Sequence, residues 1–274
     1  MKIAFRGEPG AYSEQAVFEY FGEGEPVSCD SFDDIFDAVT SRECDAGIVP
    51  IENTLAGSIH QNYDLLMRNN LFIVGEYHLR VRHCLIVNPG VKMENIRTVY
   101  SHPQALRQCA DYLRRHKMKP EEGSDTAGSV KALKKSGAMD MASIASRRAA
   151  EIYGMEILEE GIEDNPENYT RFLVIQREPT VPRGEAKTSL VFTLNNVPGA
   201  LVNALNLFAL RGINLTKIES RPLHGRPWEY LFYVDLDCSA QDARTKEALA
   251  LLSECTPTLR VLGSYPRFHP NIRT

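Results

Sequence analysis

The chain has 274 residues, 43% of them hydrophobic and 24% charged, with a formal net charge of −5. That composition is ordinary for a soluble globular protein and sufficient for one large domain or two moderate ones. It offers no basic field for nucleic acid and no apolar run of membrane-spanning length, so neither partner is expected.

Lys2 to Phe5 reads as a strand, and Gly7-x-x-Gly10-x-x-Ser13 turns the chain into a helix over Glu14 to Phe21. Glycines there allow close backbone approach to a ligand, and the helix start offers N–H groups to an anion. Ser31 to Asp34 reads as a capping box opening a helix with Phe32, Ile35, Phe36 and Val39 on one face. Asp45 to Pro50 is a strand, Ile51 to Ser58 a loop and Ile59 to Asn69 a helix. That order puts Glu52, Asn53 and Thr54 at the carboxyl end of a strand, where open α/β sheets bind ligands.

Leu71 to Val74 and Tyr77 to Val87 read as long strands, and a second αβ set follows. Ile96 to Tyr100 is a strand, and Ser101-His102-Pro103-Gln104, with Ser101 as N-cap, starts a helix running to His116, with Gln108 on the same face as Gln104. His102 is assigned a structural role there. Asp125 caps a helix through Lys135, Met141 to Ala145 is a strand, and Ser146 opens a helix ending at Gly154. Asn165 to Gln176 is a Pro-broken loop running into an apolar strand with Thr170 and Arg171 at the junction, a strand that returns to the first αβ set. A hydroxyl beside a permanent cation on a rigid mount is suited to meet a leaving group and a carboxylate from one side.

Glu178 to Lys187 has the composition of a linker. Beyond it the pattern is strand Thr188 to Leu194, helix Ala200 to Arg211, strands Leu215 to Ser220 and Tyr230 to Leu236, helix Ala240 to Glu254 and strand Leu259 to Tyr265, a ferredoxin-like βαββαβ. The domains are therefore expected at residues 1–180 and 187–266. The six cysteines, Cys29, Cys44, Cys84, Cys109, Cys238 and Cys255, form no Cys-x-x-Cys or zinc-spaced Cys/His ladder, so they read as reduced thiols with no metal site. Because the strand pattern begins at Met1, no signal peptide is expected, and the protein is expected in the cytosol.

As a set these segments resemble the monofunctional prephenate dehydratases. The resemblance rests on Gly7-x-x-Gly10-x-x-Ser13, Val49-Pro50-Ile51-Glu52-Asn53-Thr54-x-x-Gly57, Ser101-His102-Pro103-Gln104-x-x-x-Gln108-Cys109, Asp125-Thr126-Ala127 and Asn168-Tyr169-Thr170-Arg171-Phe172. Gly199-Ala200-Leu201-x-x-x-Leu205 and Glu219-Ser220-Arg221-Pro222 carry it in the second domain, and Thr54 stands where the family has Ser. It implies an α/β catalytic domain of two lobes like a periplasmic binding protein, with the site in the cleft between them, followed by a regulatory ACT domain. It also implies cofactor-free conversion of prephenate to phenylpyruvate, feedback inhibition by L-phenylalanine, and assembly into dimers or tetramers.

On that basis Thr170 is expected to hydrogen-bond the departing hydroxyl, with Glu52 the nearest candidate acid in sequence. Asn53, Thr54, Ser101, Gln108 and Arg171, with Ser13 and Phe172, are expected to bind substrate. Asn196, Gly199, Ala200, Leu201, Glu219, Ser220 and Arg221 are expected to hold phenylalanine. Arogenate dehydratase and a non-catalytic amino-acid sensor are the alternatives.

Overall fold

Short apolar strands alternating with helices build the first part of the chain. In order these are β1 (Lys2–Arg6), α1 (Tyr12–Phe21), β2 (Glu25–Cys29), α2 (Phe32–Thr40), β3 (Ala46–Asn53), β4 (Gly57–Ser58), α3 (His60–Arg68) and β5 (Phe72–Arg80). Next come β6 (Cys84–Val87), β7 (Thr98–Ser101), α4 (Pro103–Gln108), α5 (Ala110–Arg115), β8 (Lys119–Glu122), α6 (Thr126–Ser136), β9 (Met141–Ala145), α7 (Arg147–Tyr153), β10 (Glu156–Glu160) and β11 (Tyr169–Gln176). The structure, a computed structural model, describes residues 1–223 and 229–269. They fall into two units, Met1–Asn69 with Tyr77–Leu173, and Asn70–Glu76 with Val174–Thr274.

Two sheets organise this part of the chain. One runs β2-β1-β3-β11-β5 with β4 folded back on β3, so the chain leaves after β5 and returns with β11; the other runs β10-β6-β9-β7-β8. This is the two-lobed α/β arrangement, each lobe with its own apolar core. Ile3, Ala4 and Phe5 of β1 and Ile35, Phe36 and Val39 of α2 are buried in the first lobe, while Leu85, Val99, Leu106 and Ile144 share the core of the second.

Local signals in the sequence explain several of the helix ends. Ser31 and Asp34 form the reciprocal capping box of α2, with Ser31 N donating to Asp34 Oδ2 at 2.8 Å. The Ser146 hydroxyl caps α7, which closes on left-handed Gly154. Two expectations change. The helix expected from Pro103 to His116 breaks at Cys109, because Asp164 N donates to Gln108 O at 2.7 Å while the Asp164 carboxylate accepts Asp111 N and Tyr112 N, capping α5 afresh. And β3 extends through Glu52 and Asn53, so these residues sit on a strand rather than in a loop.

The second unit contains β12 (Ala186–Thr193), α8 (Ala200–Ala209), β13 (Leu215–Pro222), β14 (Tyr230–Leu236), α9 (Ala243–Cys255) and β15 (Leu259–Pro266), with the sheet in the order β13-β14-β12-β15. Leu190, Phe192, Val234 and Leu236 form one core with Ala204, Phe208, Ala248 and Leu252 of the two helices. This is the βαββαβ order expected of an ACT domain. Residues from the middle of the chain also belong here: Lys187 Nζ lies 3.0 Å from Glu76 Oε1 in a buried pair. No helix among the described residues is long and apolar enough to cross a membrane.

Candidate active site

A cavity of about 440 Å³ opens among the ends of these elements, within the range of small-molecule sites, roughly 300–1,000 Å³. Its wall takes Arg6 from β1, Ala11 to Ser13 from the start of α1, Asn53 from β3, His102 and Gln104 from the start of α4, Asp125 and Thr126 from the start of α6, and Thr170 and Phe172 from β11. His83 and Gln108 complete the polar lining.

Asn53 and Thr170 are joined directly. The Asn53 Oδ1 accepts the backbone N–H groups of Leu55 (3.0 Å) and Ala56 (2.9 Å), which fixes the orientation of the amide. Its Nδ2 therefore faces Asn168 Oδ1 at 2.8 Å, Tyr169 O at 3.1 Å and Thr170 Oγ1 at 3.0 Å. A hydroxyl that accepts from an amide keeps its own proton to donate elsewhere. Thr170 is thus polarised as a donor.

The electrostatics suit an anion. Among the described residues Arg6 is the sole arginine or lysine in the cavity wall, its guanidinium 4.8 Å from the centre of the Phe32 ring. No side chain caps α1, so its first-turn N–H groups and the positive end of its dipole are available at the wall lined by Ala11, Tyr12 and Ser13. Among the described residues Asp125 is the sole carboxylate in the wall, and its Oδ1 accepts Gly128 N at 2.6 Å. Desolvation, with Arg107 and Arg6 nearby, pushes His102 below the usual histidine range. Its Nδ1 accepts Gln104 N at 3.1 Å, so His102 rather than Ser101 is the cap of α4. Burial likewise lowers the pKa of His83.

Of the expected residues, the structure brings Thr170, Asn53, Gln108, Ser13 and Phe172 to this cavity and leaves four outside it. Side chains alternate along a strand. Thr170 and Phe172 line the cavity, whereas Tyr169 and Arg171 line an adjoining pocket of about 350 Å³ with Glu52, Thr54 and His78, the two sharing Asn53. There Arg171 Nη1 lies 3.3 Å from Glu52 Oε1, so cation and carboxylate serve each other rather than the cavity. Thr54 ties its loop down, its hydroxyl donating to Glu167 O at 2.7 Å and accepting Tyr169 N at 2.9 Å. Ser101 is fully buried and donates to Ile144 O at 2.6 Å. Its hydroxyl ties β7 to the neighbouring β9 and does not line the cavity.

Arg6, Tyr12, His83 and Asp125 were not among the expected site residues. For Arg6 the signal existed: it ends a strand at its carboxyl terminus, the position used above for Glu52 and Asn53. His83 lies in the connection between β5 and β6 and had no sequence signal. Among the described residues, no cluster of three or more His, Cys, Asp or Glu is placed to hold a metal ion.

In the second unit the expected phenylalanine residues do not share one face of the sheet. Ser220 sits opposite Phe232, which packs with the helix-side core, as α8 and its Asn196-to-Leu201 start do. Glu219 sits opposite Tyr233, on the reverse face, and Arg221 follows it.

The family model described as prephenate dehydratase matches residues 3–180, and the ACT-domain model matches residues 188–250. The chain belongs to the prephenate dehydratase family. It is a hydro-lyase of that family. A protein of Arabidopsis thaliana called arogenate dehydratase/prephenate dehydratase 1, chloroplastic, is 47% identical over 97% of this chain and 72% of its own length. Among solved structures, prephenate dehydratase from Arthrobacter aurescens in complex with L-Phe matches with a TM-score of 0.90 at 33% identity, covering 97% of this chain and 90% of that one. A structure titled GqqA, a novel type of quorum quenching acylases, matches with a TM-score of 0.92 at 34% identity over 98% of both chains. These relatives correct the expectation of a cytosolic protein. The matching Arabidopsis enzymes are chloroplastic and carry sequence outside the match, so a strand pattern at residue 1 does not assign a compartment.

Proposed function

We propose that the chain converts prephenate to phenylpyruvate, carbon dioxide and water. Loss of carbon dioxide and the ring hydroxyl creates an aromatic ring, so the driving force lies in the substrate, and the protein has to hold a dianion and help an oxygen depart. Arg6 and the uncapped start of α1 supply the positive field. Thr170 donates its proton in a hydrogen bond to the departing hydroxyl as that oxygen gathers charge, and Gln108 adds an amide donor. One proton is taken up overall: the dianion and a proton give the phenylpyruvate monoanion, carbon dioxide and water. Glu52 has no part in this step, because it serves Arg171 on the other face of β3 and β11.

The observation that carries this reading is the Asn53-to-Thr170 hydrogen bond, which leaves the hydroxyl as a donor. It also weighs against acyl transfer of the kind named for the GqqA structure, which needs a hydroxyl that gives its proton to a base before attacking. Arogenate is a second substrate reading, favoured by the name of the Arabidopsis relative and by Asp125, a carboxylate in the wall that an ammonium group would meet. Steady-state kcat/KM with each substrate tests both, read as ultraviolet appearance of phenylpyruvate or release of phenylalanine. Turnover of prephenate at least tenfold better than arogenate supports the first reading, the reverse ratio supports the second, and turnover of neither defeats both.

We take residues 1–180 as the catalytic domain and 187–266 as the ACT domain, joined by a linker at 178–187 of which β12 already claims Ala186 and Lys187. L-phenylalanine is the effector we assign to the ACT domain, supported by the L-Phe complex of the Arthrobacter relative. Asn196, Gly199, Ala200, Leu201 and Ser220 offer one surface for it, and Glu219 and Arg221 another. A dimer or tetramer is consistent with the exposed Val197, Val202, Leu210 and Ile218 of this unit.

A further inference from the structure

We propose that His83 is a positioning residue that holds Gln108 with its amide NH₂ group turned toward the substrate. His83 is 2% exposed and its ring lies between two partners in the first unit. Its Nε2 is 2.8 Å from Gln108 Oε1, and its Nδ1 is 2.8 Å from the Tyr12 hydroxyl. Gln108 Oε1 faces Nε2 and only accepts, which puts the hydrogen of the neutral ring on Nε2; the single hydroxyl hydrogen of Tyr12 then goes to Nδ1 at 2.8 Å in preference to Arg82 O at 3.0 Å. Burial favours that neutral ring. With Oε1 engaged, the two hydrogens of the Gln108 amide are left for the cavity that Gln108 lines.

Both ends of this chain are braced. Glu163 is buried and accepts His83 N at 2.9 Å, while the neighbouring Asp164 N donates to Gln108 O at 2.7 Å. The break between α4 and α5 is thus part of the device, since it frees the Gln108 carbonyl for Asp164. The hydrogen bonds also admit the reverse direction. It needs the Gln108 amide turned over, so that its NH₂ group donates to Nε2, while His83 Nδ1–H donates to Tyr12 and Tyr12 donates to Arg82 O at 3.0 Å. That arrangement would present the Gln108 carbonyl oxygen to an anionic substrate. The choice of tautomer at His83 therefore sets whether Gln108 attracts or repels a carboxylate.

The inference rests on the dehydratase reading of the cavity, and two measurements separate them. ¹⁵N–¹H correlation spectra of histidine-labelled protein read the His83 tautomer without any turnover. Protonation at Nε2 with Nδ1 bare is expected, and a ring protonated at Nδ1 overturns the proposal. The second is a kinetic cycle. His83→Leu is expected to lower kcat/KM roughly tenfold, the scale of one lost hydrogen bond, and His83→Gln, which restores an amide donor, is expected to recover much of it. In a Gln108→Leu background His83→Leu should cost less than twofold more, because its target is gone. A full tenfold loss in that background shows that His83 does not act through Gln108 and sinks the idea. Should the leucine variant fail to fold, the tautomer measurement decides alone. If unmodified protein turns over neither prephenate nor arogenate, the dehydratase reading fails whatever the tautomer.

Discussion

Replacing Asn53 with aspartate changes one NH₂ group into an oxygen and should reverse the polarity of Thr170. The aspartate can still accept from Leu55 N and Ala56 N, so the turn after β3 is kept. Its other oxygen then faces Asn168 Oδ1, Tyr169 O and Thr170 Oγ1, three acceptors that formerly shared the Asn53 amide hydrogens. Thr170 relieves the conflict by donating to the new carboxylate, and Asn168, whose Nδ2 is buried without a partner, can turn to donate as well. The cost to stability is therefore small, about 1 kcal/mol, the net worth of one hydrogen bond. The cost to catalysis is the loss of one donor to the departing oxygen, about 2.7–4 kcal/mol or roughly 10²- to 10³-fold in kcat. A negative charge beside a dianion also raises KM, so the diagnostic quantity is kcat at saturating substrate, followed by phenylpyruvate absorbance, with the melting temperature as a check on folding. A variant with kcat within threefold of the parent would refute the polarity assigned to Thr170.

Arg6→Gln removes a guanidinium from the cavity wall and should raise KM about tenfold with a smaller change in kcat, the scale of a charge-assisted hydrogen bond at an exposed site; steady-state kinetics at fixed ionic strength check this. Arg171→Met should act on the fold instead. It leaves the Glu52 carboxylate without that guanidinium in a half-buried setting, and a stability loss of about 2 kcal/mol is expected in denaturant titration, with KM within twofold. A large rise in KM with unchanged stability would return Arg171 to the substrate.

The architecture was legible because its signals are local. Capping at Ser31 and Ser146, the left-handed stop at Gly154 and the apolar strands all follow from residues within a few positions of each other. The lining of the cavity was legible where a strand end delivers the residue, as with Asn53 and Thr170. Arg171 follows Thr170 in sequence, but a strand sends neighbours to opposite faces, so the two line different pockets; the same alternation turns Glu52 toward Arg171 and splits Ser220 from Glu219 on β13. Ser101 looked like an N-cap, but His102 took that place with a ring nitrogen, and the serine hydroxyl was drawn to a carbonyl of β9. The break at Cys109 and the part played by His83 depend on Glu163 and Asp164, more than fifty residues further on, and no window of sequence contains both partners.

Thr170→Val removes the hydroxyl while keeping a branched side chain of the same shape on β11, so it isolates the donor from the packing. With prephenate at saturation, kcat of this variant should fall at least 10²-fold while KM stays within threefold, since the hydrogen bond strengthens only as the oxygen departs. Turnover within a few-fold of the parent would contradict the account, because the cavity would then be dehydrating its substrate without the group around which Asn53 and Asn168 are arranged.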